Sequence, residues 1–287
     1  MLAVYKRDLK SYFNSMIGCV YIAFIIAFVS IYFAYYNLRM GYPYFGDVMC
    51  SVAYILMLAL PILTMRSFAE ERKSKTDQIL YTSKSSVTGI VIGKYLAMAT
   101  IYLIPILWFC VFPLIISAFG THDFKGDYSC ILIVFLIGCA YIALGMFLSS
   151  LTESPIIAAV MTFGILLILQ LMSGITNFIS TSNLTSFIGC VIVVLIAAFI
   201  YYAIARNAFV TAIISIVGVM ALIVTYIVKS SVFGNFIPTL LNKLPLTNTL
   251  DNFAIHTFDV SGVVYCISFG LLFIFLTVQS IQKRRYS

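Results

Sequence analysis

The segment VMCSVAYILMLALPILTMRSFAEERKSKTDQILYTSK, residues 48–84, joins an uncharged apolar run to the most strongly charged stretch of the chain. Nine charged residues lie between Arg66 and Lys94, whereas the whole chain has 27. Another long apolar run follows from Ile90. This contrast indicates a membrane protein that carries one substantial soluble element. Because that element is too short to build a core of its own, we expect it to contact another protein at the membrane surface.

The composition excludes a soluble globular protein. Hydrophobic residues make up 62% of the 287-residue chain and charged residues 9%, whereas soluble domains are about 25% charged. Apolar runs of about 20 residues are long enough to cross a bilayer core about 30 Å thick, and in lipid such runs must be helical. Strand-like alternation is absent, which argues against an outer-membrane barrel. We therefore predict an all-α polytopic membrane protein in which residues 1–287 form a single transmembrane domain.

Eight apolar runs are candidate transmembrane helices: Ile17–Tyr36, Val48–Met65, Ile90–Phe119, Cys130–Leu148, Ile156–Ile179, Phe187–Ala205, Ala208–Val228 and Val263–Gln279. The third run carries Pro105 and Pro113, so we expect it to be kinked or tilted. Only Arg206 and Asn207 separate the sixth run from the seventh, which predicts a tight helical hairpin. Six spans are the alternative if these two runs are re-entrant. We prefer eight because both runs are long and uncharged.

The placement of lysine and arginine orients these spans. With a cytoplasmic N-terminus, the cytoplasmic segments contain thirteen of the 17 basic residues, and the outer segments contain Arg39, Lys125, Lys229 and Lys243. The basic run Lys283–Arg285 favours an even number of spans with both termini inside. The net charge of +7 then reflects an inner face that attracts anionic lipid. Nucleic-acid binding is not expected, because the aromatic residues lie inside the spans. We expect a multi-pass protein of a bacterial plasma membrane.

Two segments outside the spans are predicted to lie along the membrane surface. Residues 1–16 have the pattern of an amphipathic interfacial helix, with apolar residues at helical spacing: Leu2, Tyr5, Leu9, Tyr12, Phe13 and Met16. The alternative is a basic leader that only sets topology. The outer segment 229–262 has few charges and contains Pro238 and Pro245. Because such an apolar loop is unfavourable in water, we expect short interfacial or re-entrant helices there.

The charged segment 66–89 contains the residues that we expect to contact a partner. Ala69–Lys75 continues the second span into water as a helix, and a second short helix starts near Thr76. That helix exposes an apolar patch flanked by charge, formed by Ile79, Leu80 and Tyr81. A short helix of this type suits a groove on a partner protein. The alternative is a solvated connecting loop, but a connector does not need an Ile-Leu-Tyr patch in water.

No catalytic, cofactor-binding or metal-ligating constellation is evident in the sequence. The stretch from Gly89 to Lys94 resembles a phosphate-binding loop only in part, since it has too few intervening residues and no Ser or Thr after the lysine. Gly89 and Gly93 instead favour close helix packing. Asp127 is interpreted as a solvated charge at a span end. Gln170, in the middle of the fifth run, is predicted to hydrogen-bond to a facing helix or to contact substrate in the pathway.

The charged segment resembles the cytoplasmic loop of type-2 ATP-binding cassette (ABC) transporter permeases. In that family the loop runs roughly as Arg, Ala-Glu-Glu-Lys/Arg, Gly-Thr, Glu, Leu-Leu, Thr-Ser-Pro and then Gly-Lys at the next span. Here it reads RSFAEERKSKTDQILYTS from Arg66, followed by Gly93 and Lys94. The chain is most similar to the gliding-motility and nitrous-oxide-accessory permeases. The resemblance covers the N-terminal helix through the fifth span, and the C-terminal end from Asp251.

This resemblance implies a transmembrane permease subunit of an ATP-driven exporter, with a six-span core and an extra hairpin in residues 187–228. It implies cytosolic ABC ATPase subunits as partners, which bind ATP and Mg, and a second permease copy or a related permease. The chain itself is then not an enzyme and holds no cofactor. The positions that match the coupling helix between spans 2 and 3 are Glu70, Glu71, Arg72, Thr76, Ile79 and Leu80. An ATP-independent membrane enzyme or assembly factor is the alternative function.

Three positions of the charged segment depart from the family pattern. Lys75 stands where the family usually has Gly. Gln78 replaces the usual Glu, and Lys84 replaces the usual Pro. These departures leave the permease assignment in place. They argue against transferring a substrate from better-known members of the family.

Overall fold

The chain is helical throughout the residues that the structure describes. The computed structural model describes residues 1–76, 86–119, 123–176, 220, 236–255 and 257–286, and it contains no strand within them. These residues belong to two compact units. One comprises Met1–Ile168 with Leu246–Ser287, and the other comprises Leu169–Pro245. The all-α fold predicted from the composition is confirmed.

The described helices are numbered here in chain order. They are α1 Leu2–Asn14, α2 Ile17–Phe33, α3 Gly46–Thr64, α4 Ala69–Lys73, α5 Val87–Phe109, α6 Phe112–Phe119, α7 Phe124–Leu151, α8 Pro155–Thr176, α9 Phe236–Lys243, α10 Asn248–Ala254 and α11 Val260–Tyr286. A π-helical turn, Ala34–Arg39, extends α2. Polar side chains cap two of the long helices, because Ser86 accepts a hydrogen bond at the start of α5 and Asp123 does so at the start of α7.

Six of the described helical stretches are long and apolar enough to cross a membrane. They coincide with the first five predicted spans and the last one: Ile17–Arg39, Gly46–Lys73, Val87–Ala118, Phe124–Leu151, Pro155–Met172 and Val260–Arg284. The predicted spans Phe187–Ala205 and Ala208–Val228 lie outside the described residues, so the choice between eight spans and six stays a prediction. In the third span, α5 ends at Phe109 and α6 begins at Phe112. The interruption lies next to Pro113, where a kink is expected.

α7 is the central helix of the first unit. It packs against α3, α5, α10 and α11, and most of its residues are buried. Two glycines allow close approach, since the ring of Tyr102 lies over Gly138 and Thr64 lies against Gly145. A Cβ at residue 145 would come within 2.8 Å of the Thr64 Cβ, which the backbone of α3 holds in place. Tyr102 donates a hydrogen bond of 2.8 Å to the Val134 carbonyl, so its buried hydroxyl is satisfied.

Asp127 is buried near the start of α7, and its interpretation as a solvated charge is wrong. The residue is 0% exposed, and its Oδ1 accepts a hydrogen bond of 2.9 Å from the Phe45 backbone N–H. Phe45 lies just before α3 and packs against the rings of Phe33 and Phe112. A buried carboxylate needs such a donor because leaving the charge unpaired is costly. Asp127 therefore ties the connection between α2 and α3 to α7.

The predicted surface segment 229–262 contains two short helices among its described residues. α9 belongs to the second unit, whereas α10 packs against α3 and α7 in the first unit. Leu250 and Phe253 of α10 are buried. The Cys130 thiol of α7 donates a hydrogen bond of 3.1 Å to the Phe253 carbonyl. Short helices are the element type expected here, and the outer location of the segment stays a prediction.

Candidate functional site

The charged segment begins with a short helix that is capped by a transmembrane helix. α4 has only five residues, and the first amide groups of a helix have no partner within it. The buried Ser149 hydroxyl of α7 accepts hydrogen bonds of 3.2 and 3.1 Å from the N–H groups of Phe68 and Ala69. The same hydroxyl donates a hydrogen bond of 3.2 Å to the Met65 carbonyl. The start of α4 is therefore fixed to α7.

The end of α4 is fixed by its own backbone. The Lys75 N–H donates to the Arg72 carbonyl and the Thr76 N–H donates to the Glu71 carbonyl, both at 2.9 Å. This pair of bonds is the Schellman pattern, which places a residue with left-handed backbone directly after the helix. Lys75 has that conformation, with a φ of 58°. Glycine adopts it without the steric cost that a side chain meets, which accounts for the Gly of the family pattern at this position.

Lys94 lies in α5 and reaches the charged segment from inside the protein. The residue is only 3% exposed. A lysine ammonium has three protons to donate, and here three acceptors surround it: the Ser67 carbonyl at 2.8 Å, Glu71 Oε1 at 2.9 Å and Asp8 Oδ2 at 3.2 Å. The ring centroid of Phe68 lies 5.1 Å from the same nitrogen, within cation–π range. The donor capacity of this buried charge is therefore fully used.

Arg7 completes a charge cluster with Asp8, Glu71 and Lys94. Its guanidinium bonds to Asp8 Oδ1 at 2.8 Å and to Glu71 Oε1 at 2.6 Å. Burial alone lowers the pKa of Arg7, but the charges of Asp8 and Glu71 outweigh burial and the pKa is raised. The cluster balances two positive against two negative charges and joins three helices, α1, α4 and α5.

α1 lies against α5 at close range. The interpretation of Gly93 as a packing residue is confirmed, since a Cβ at residue 93 would lie 3.0 Å from the Met1 carbonyl oxygen. A larger residue there would push the two helices apart. At Gly89 a Cβ would lie 3.8 Å from Met1, which is an ordinary contact, so the packing role of Gly89 stays a prediction. At its other end, α1 is held by the Tyr12 hydroxyl, which donates a hydrogen bond of 3.0 Å to the Leu63 carbonyl of α3. Burial raises the pKa of Tyr12, so the phenol stays protonated and able to donate.

Arg72 is buried, which changes the role expected for it. The residue is 7% exposed, and its guanidinium donates a hydrogen bond of 3.4 Å to the Thr152 carbonyl, between α7 and α8. Arg284 of α11 donates to the neighbouring Leu151 carbonyl at 3.2 Å. Arg72 therefore holds α4 against the end of α7, and its charge is not presented on the surface to a partner.

The other predicted coupling residues fall into two groups. Glu70 is on the surface, where it pairs with Arg66 at 2.9 Å, and Thr76 is exposed. Ile79 and Leu80 lie outside the described residues. The coupling role of this segment stays a prediction.

Gln170, the predicted intramembrane polar contact, lies in α8. It is half-buried and belongs to the second unit. Whether it contacts a facing helix or substrate stays a prediction. Within the described ranges, no group of three His, Cys, Asp or Glu residues could hold a metal ion.

A comparison with known families matches the part of the chain that contains this region. The profile of the ABC-2 type transporter family matches residues 1–181, which include the whole charge cluster. The chain belongs to the ABC-2 type transporter family. It is therefore a permease component of an ABC transporter, and ABC-2 permeases generally work with a cytosolic ABC ATPase. No curated protein and no solved structure shows a significant match.

The sequence does not predict the charge cluster of this ABC-2 permease as a unit. Asp8 carries one signal, because it lies three residues after Tyr5 and four before Tyr12 and so shares their apolar face of α1. Lys94 carries another, as a single charge near the start of an apolar span. Neither signal identifies a partner. Contacts among residues 8, 71 and 94 depend on tertiary packing, and Ser149 carries no local signal at all.

Lys94→Met tests whether the charge cluster stabilises the permease. Loss of the ammonium group leaves two mostly buried carboxylates with only Arg7 to neutralise them, and breaking a buried ion pair is strongly destabilising. We expect the free energy of unfolding to fall by about 3 kcal/mol, measured by unfolding of the purified permease in detergent. Lys73→Met is the matched control, because Lys73 is exposed. It should cost less than about 0.5 kcal/mol, and equal effects of the two variants would contradict the role of the cluster.

Lys75→Gly tests the left-handed end of α4. Because glycine has no side chain to clash in this conformation, the variant should gain up to about 1 kcal/mol of local stability. Slower proteolytic cleavage of the charged segment in the intact permease measures that gain. Lys73→Gly is the control, since a glycine within a helix costs about 1 kcal/mol and should make cleavage faster. A change in the same direction for both variants would contradict the proposed helix end.

Proposed function

We propose that this permease is the membrane subunit of an ATP-driven exporter in a bacterial plasma membrane. A separate cytosolic ATPase subunit binds ATP and Mg and hydrolyses the nucleotide. The chain pairs with a second copy or with a related permease to form the pathway. The family match supports the permease role. The likeness of the charged segment to gliding-motility and nitrous-oxide-accessory permeases supports export and is our reason for proposing that subtype.

The charge cluster is the observation that carries this proposal. It connects α4, in the segment that is proposed to meet the ATPase, to the span α5 and to the surface helix α1. A displacement of α4 carries α5 and α1 with it, because separating the ion pairs would leave buried charges without partners. A coupling element needs this property, since movement at the ATPase surface has to reach a membrane span.

α4 has a second connection, to the central helix α7. Ser149 caps its first turn and Arg72 bonds to the chain just after α7. A displacement of α4 therefore moves two spans, α5 and α7. An ATPase shifts the permease between conformations only if its nucleotide states bind those conformations with different affinities. A rigidly held α4 meets this condition, because each conformation of the two spans presents α4 in a different position.

We assign the six predicted coupling residues two different tasks. Glu71 and Arg72 hold α4 to the membrane helices, as their buried contacts support. The other four, Glu70, Thr76, Ile79 and Leu80, face the ATPase. Gln170 is proposed as a polar contact between helices or in the pathway. Under this assignment Glu71 and Arg72 transmit motion, and the other four residues provide affinity for the ATPase.

Asp8→Asn tests the transmission of motion from α4 to the membrane helices separately from the docking of the ATPase. The amide keeps the shape of the side chain but removes the charge that pairs with Lys94, and the proposed docking surface is unchanged. We expect normal co-purification of the ATPase, but a fall of about tenfold in the permease-dependent part of ATP hydrolysis, which corresponds to a coupling free energy of about 1.4 kcal/mol. Lys10→Gln, an exposed change on the same helix, is the control. Undiminished hydrolysis with Asp8→Asn would remove the cluster from the coupling route.

The double change Ile79→Ala with Leu80→Ala tests docking. Removing buried apolar anchors from an interface commonly costs about 2–4 kcal/mol, which is roughly thirty- to a thousandfold in affinity. Glu70→Ala is the comparison, since a surface charge pair contributes less than about 1 kcal/mol. The amount of ATPase captured with an affinity-tagged permease should fall far more for the double variant. If capture is undiminished, the segment is only a connector and the docking surface lies elsewhere.

A further inference from the structure

α1 crosses from the start of one membrane span to the end of another. At its own start, a Cβ added at Gly93 of α5 would lie 3.0 Å from the Met1 carbonyl oxygen. At its end, the Tyr12 hydroxyl donates a hydrogen bond to the Leu63 carbonyl of α3. Leu63 is three residues before Arg66, the first charge after the apolar run of α3, which corresponds to about 5 Å along a helix. Because charged side chains mark the edge of a span, these contacts hold α1 at the membrane boundary.

The side of α1 that is turned away from these spans is apolar. Leu2, Leu9 and Phe13 recur at intervals of seven and four residues, which places them on one side of the helix. Leu2 is 68% exposed and Phe13 is 39% exposed, whereas Asp8 and Tyr12, on the side that faces the protein, are buried. An apolar side chain at the membrane boundary gains free energy by entering the edge of the hydrocarbon. This side of α1 is therefore suited to lie in the membrane interface.

Two lysines border the apolar side of α1. Lys6 lies one turn after Leu2, and Lys10 lies one turn before Phe13. Both lysines are exposed, and no residue that the structure describes forms an ion pair with either of them. Asp8, the one acidic residue in the sequence of α1, is already engaged in the charge cluster. Like charges one turn apart repel each other, so an anion beside both ammonium groups is stabilising.

We propose that anionic phospholipid binds to this amphipathic face of α1, which is formed by Leu2, Lys6, Leu9, Lys10 and Phe13. The two ammonium groups pair with negatively charged headgroups, and the acyl chains contact the three apolar side chains. A neutral lipid matches only the apolar part of the face, and an acidic protein surface matches only the lysines. The lipid is a bound component of the permease, separate from any transported substrate. The proposal does not depend on ATPase coupling, so its failure would leave the proposed function unchanged.

The bound lipid also stabilises the charge cluster. Arg7 and Asp8 of the same helix bond to Glu71 of α4 and to Lys94 of α5. A lipid that holds α1 at the membrane boundary therefore favours the position in which these ion pairs form. The lipid composition of the membrane thus affects how firmly α4 is held.

Tryptophan fluorescence of the full-length permease in lipid vesicles tests this face. Trp108 is the one tryptophan of the sequence, so the variant Phe13→Trp with Trp108→Phe has a single fluorophore, on α1. Bromine atoms on acyl chains quench a tryptophan that they contact. Vesicles of phosphatidylcholine with a minor fraction of phosphatidylglycerol are prepared twice, with bromine on one lipid or on the other. Because each lysine near an anionic surface contributes about 1 kcal/mol, we expect a preference for phosphatidylglycerol of up to about thirtyfold.

Two double variants, made in this single-tryptophan background, assign the preference to the lysines of α1. Lys6→Gln with Lys10→Gln should bring the preference close to one. Quenching by brominated phosphatidylcholine should persist in that variant, because the apolar side chains still hold α1 in the interface. Lys125→Gln with Lys283→Gln is the matched control, since it removes the same charge from exposed lysines of other helices. It should leave the preference unchanged.

Several results would overturn the proposal. Absence of quenching by both brominated lipids would mean that this face of α1 does not touch the membrane. Quenching in proportion to the amount of each lipid would mean that the anionic headgroup is not recognised. An unchanged preference in the Lys6 and Lys10 variant, or an equal loss in the control, would remove the two lysines from the site. Loss of quenching by both lipids when the ATPase binds would assign the face to the protein partner.

Discussion

The arrangement of α1, α4 and α5 depends on the ion pairs and the hydrogen bond that the buried ammonium group of Lys94 makes. A charge leaves water at tolerable cost only when hydrogen-bonding partners of opposite charge surround it. Its three acceptors come from different parts of the chain: Asp8 from α1, Glu71 from α4 and the Ser67 carbonyl from the turn before α4. α5 reaches its packed position only together with α1 and the charged segment. One side chain thus makes the folding of these three helices interdependent.

α4 shows the consequence of this dependence for a short helix. Five residues do not form a stable helix by themselves, because the conformational entropy lost in forming the first turn outweighs the free energy gained from so few hydrogen bonds. Ser149 supplies the missing partners at its start, and Glu71 and Arg72 bind its sides to α5 and to the end of α7. The position of α4 is therefore determined by the membrane helices. The same contacts that fold α4 are the ones through which its movement would be transmitted.

Hydropathy and spacing predict the membrane helices of this permease, but they predict little about the contacts that join them. Six spans follow from apolar runs because lipid forces such a run to become a helix. The packing role of Gly93 can be predicted from the sequence, because a residue without a side chain lets another helix approach closely. The burial of Asp127 is not predicted from the sequence, because its hydrogen-bond donor, the Phe45 N–H, is 82 positions away. The charge cluster cannot be predicted from the sequence for the same reason, since no periodic pattern relates residues 8, 71 and 94.

Lys75 shows how tertiary contacts override a local preference. A side chain in the left-handed conformation costs about 1–2 kcal/mol, and the family pattern avoids this cost with Gly. Here Glu71 and Arg72 are held by contacts to other helices, and their carbonyls also accept the hydrogen bonds that end α4. Another conformation at residue 75 would break those bonds, so the backbone is set by its surroundings. The lysine also places a positive charge at the C-terminal end of α4, where the helix dipole favours a cation, and this offsets part of the steric cost.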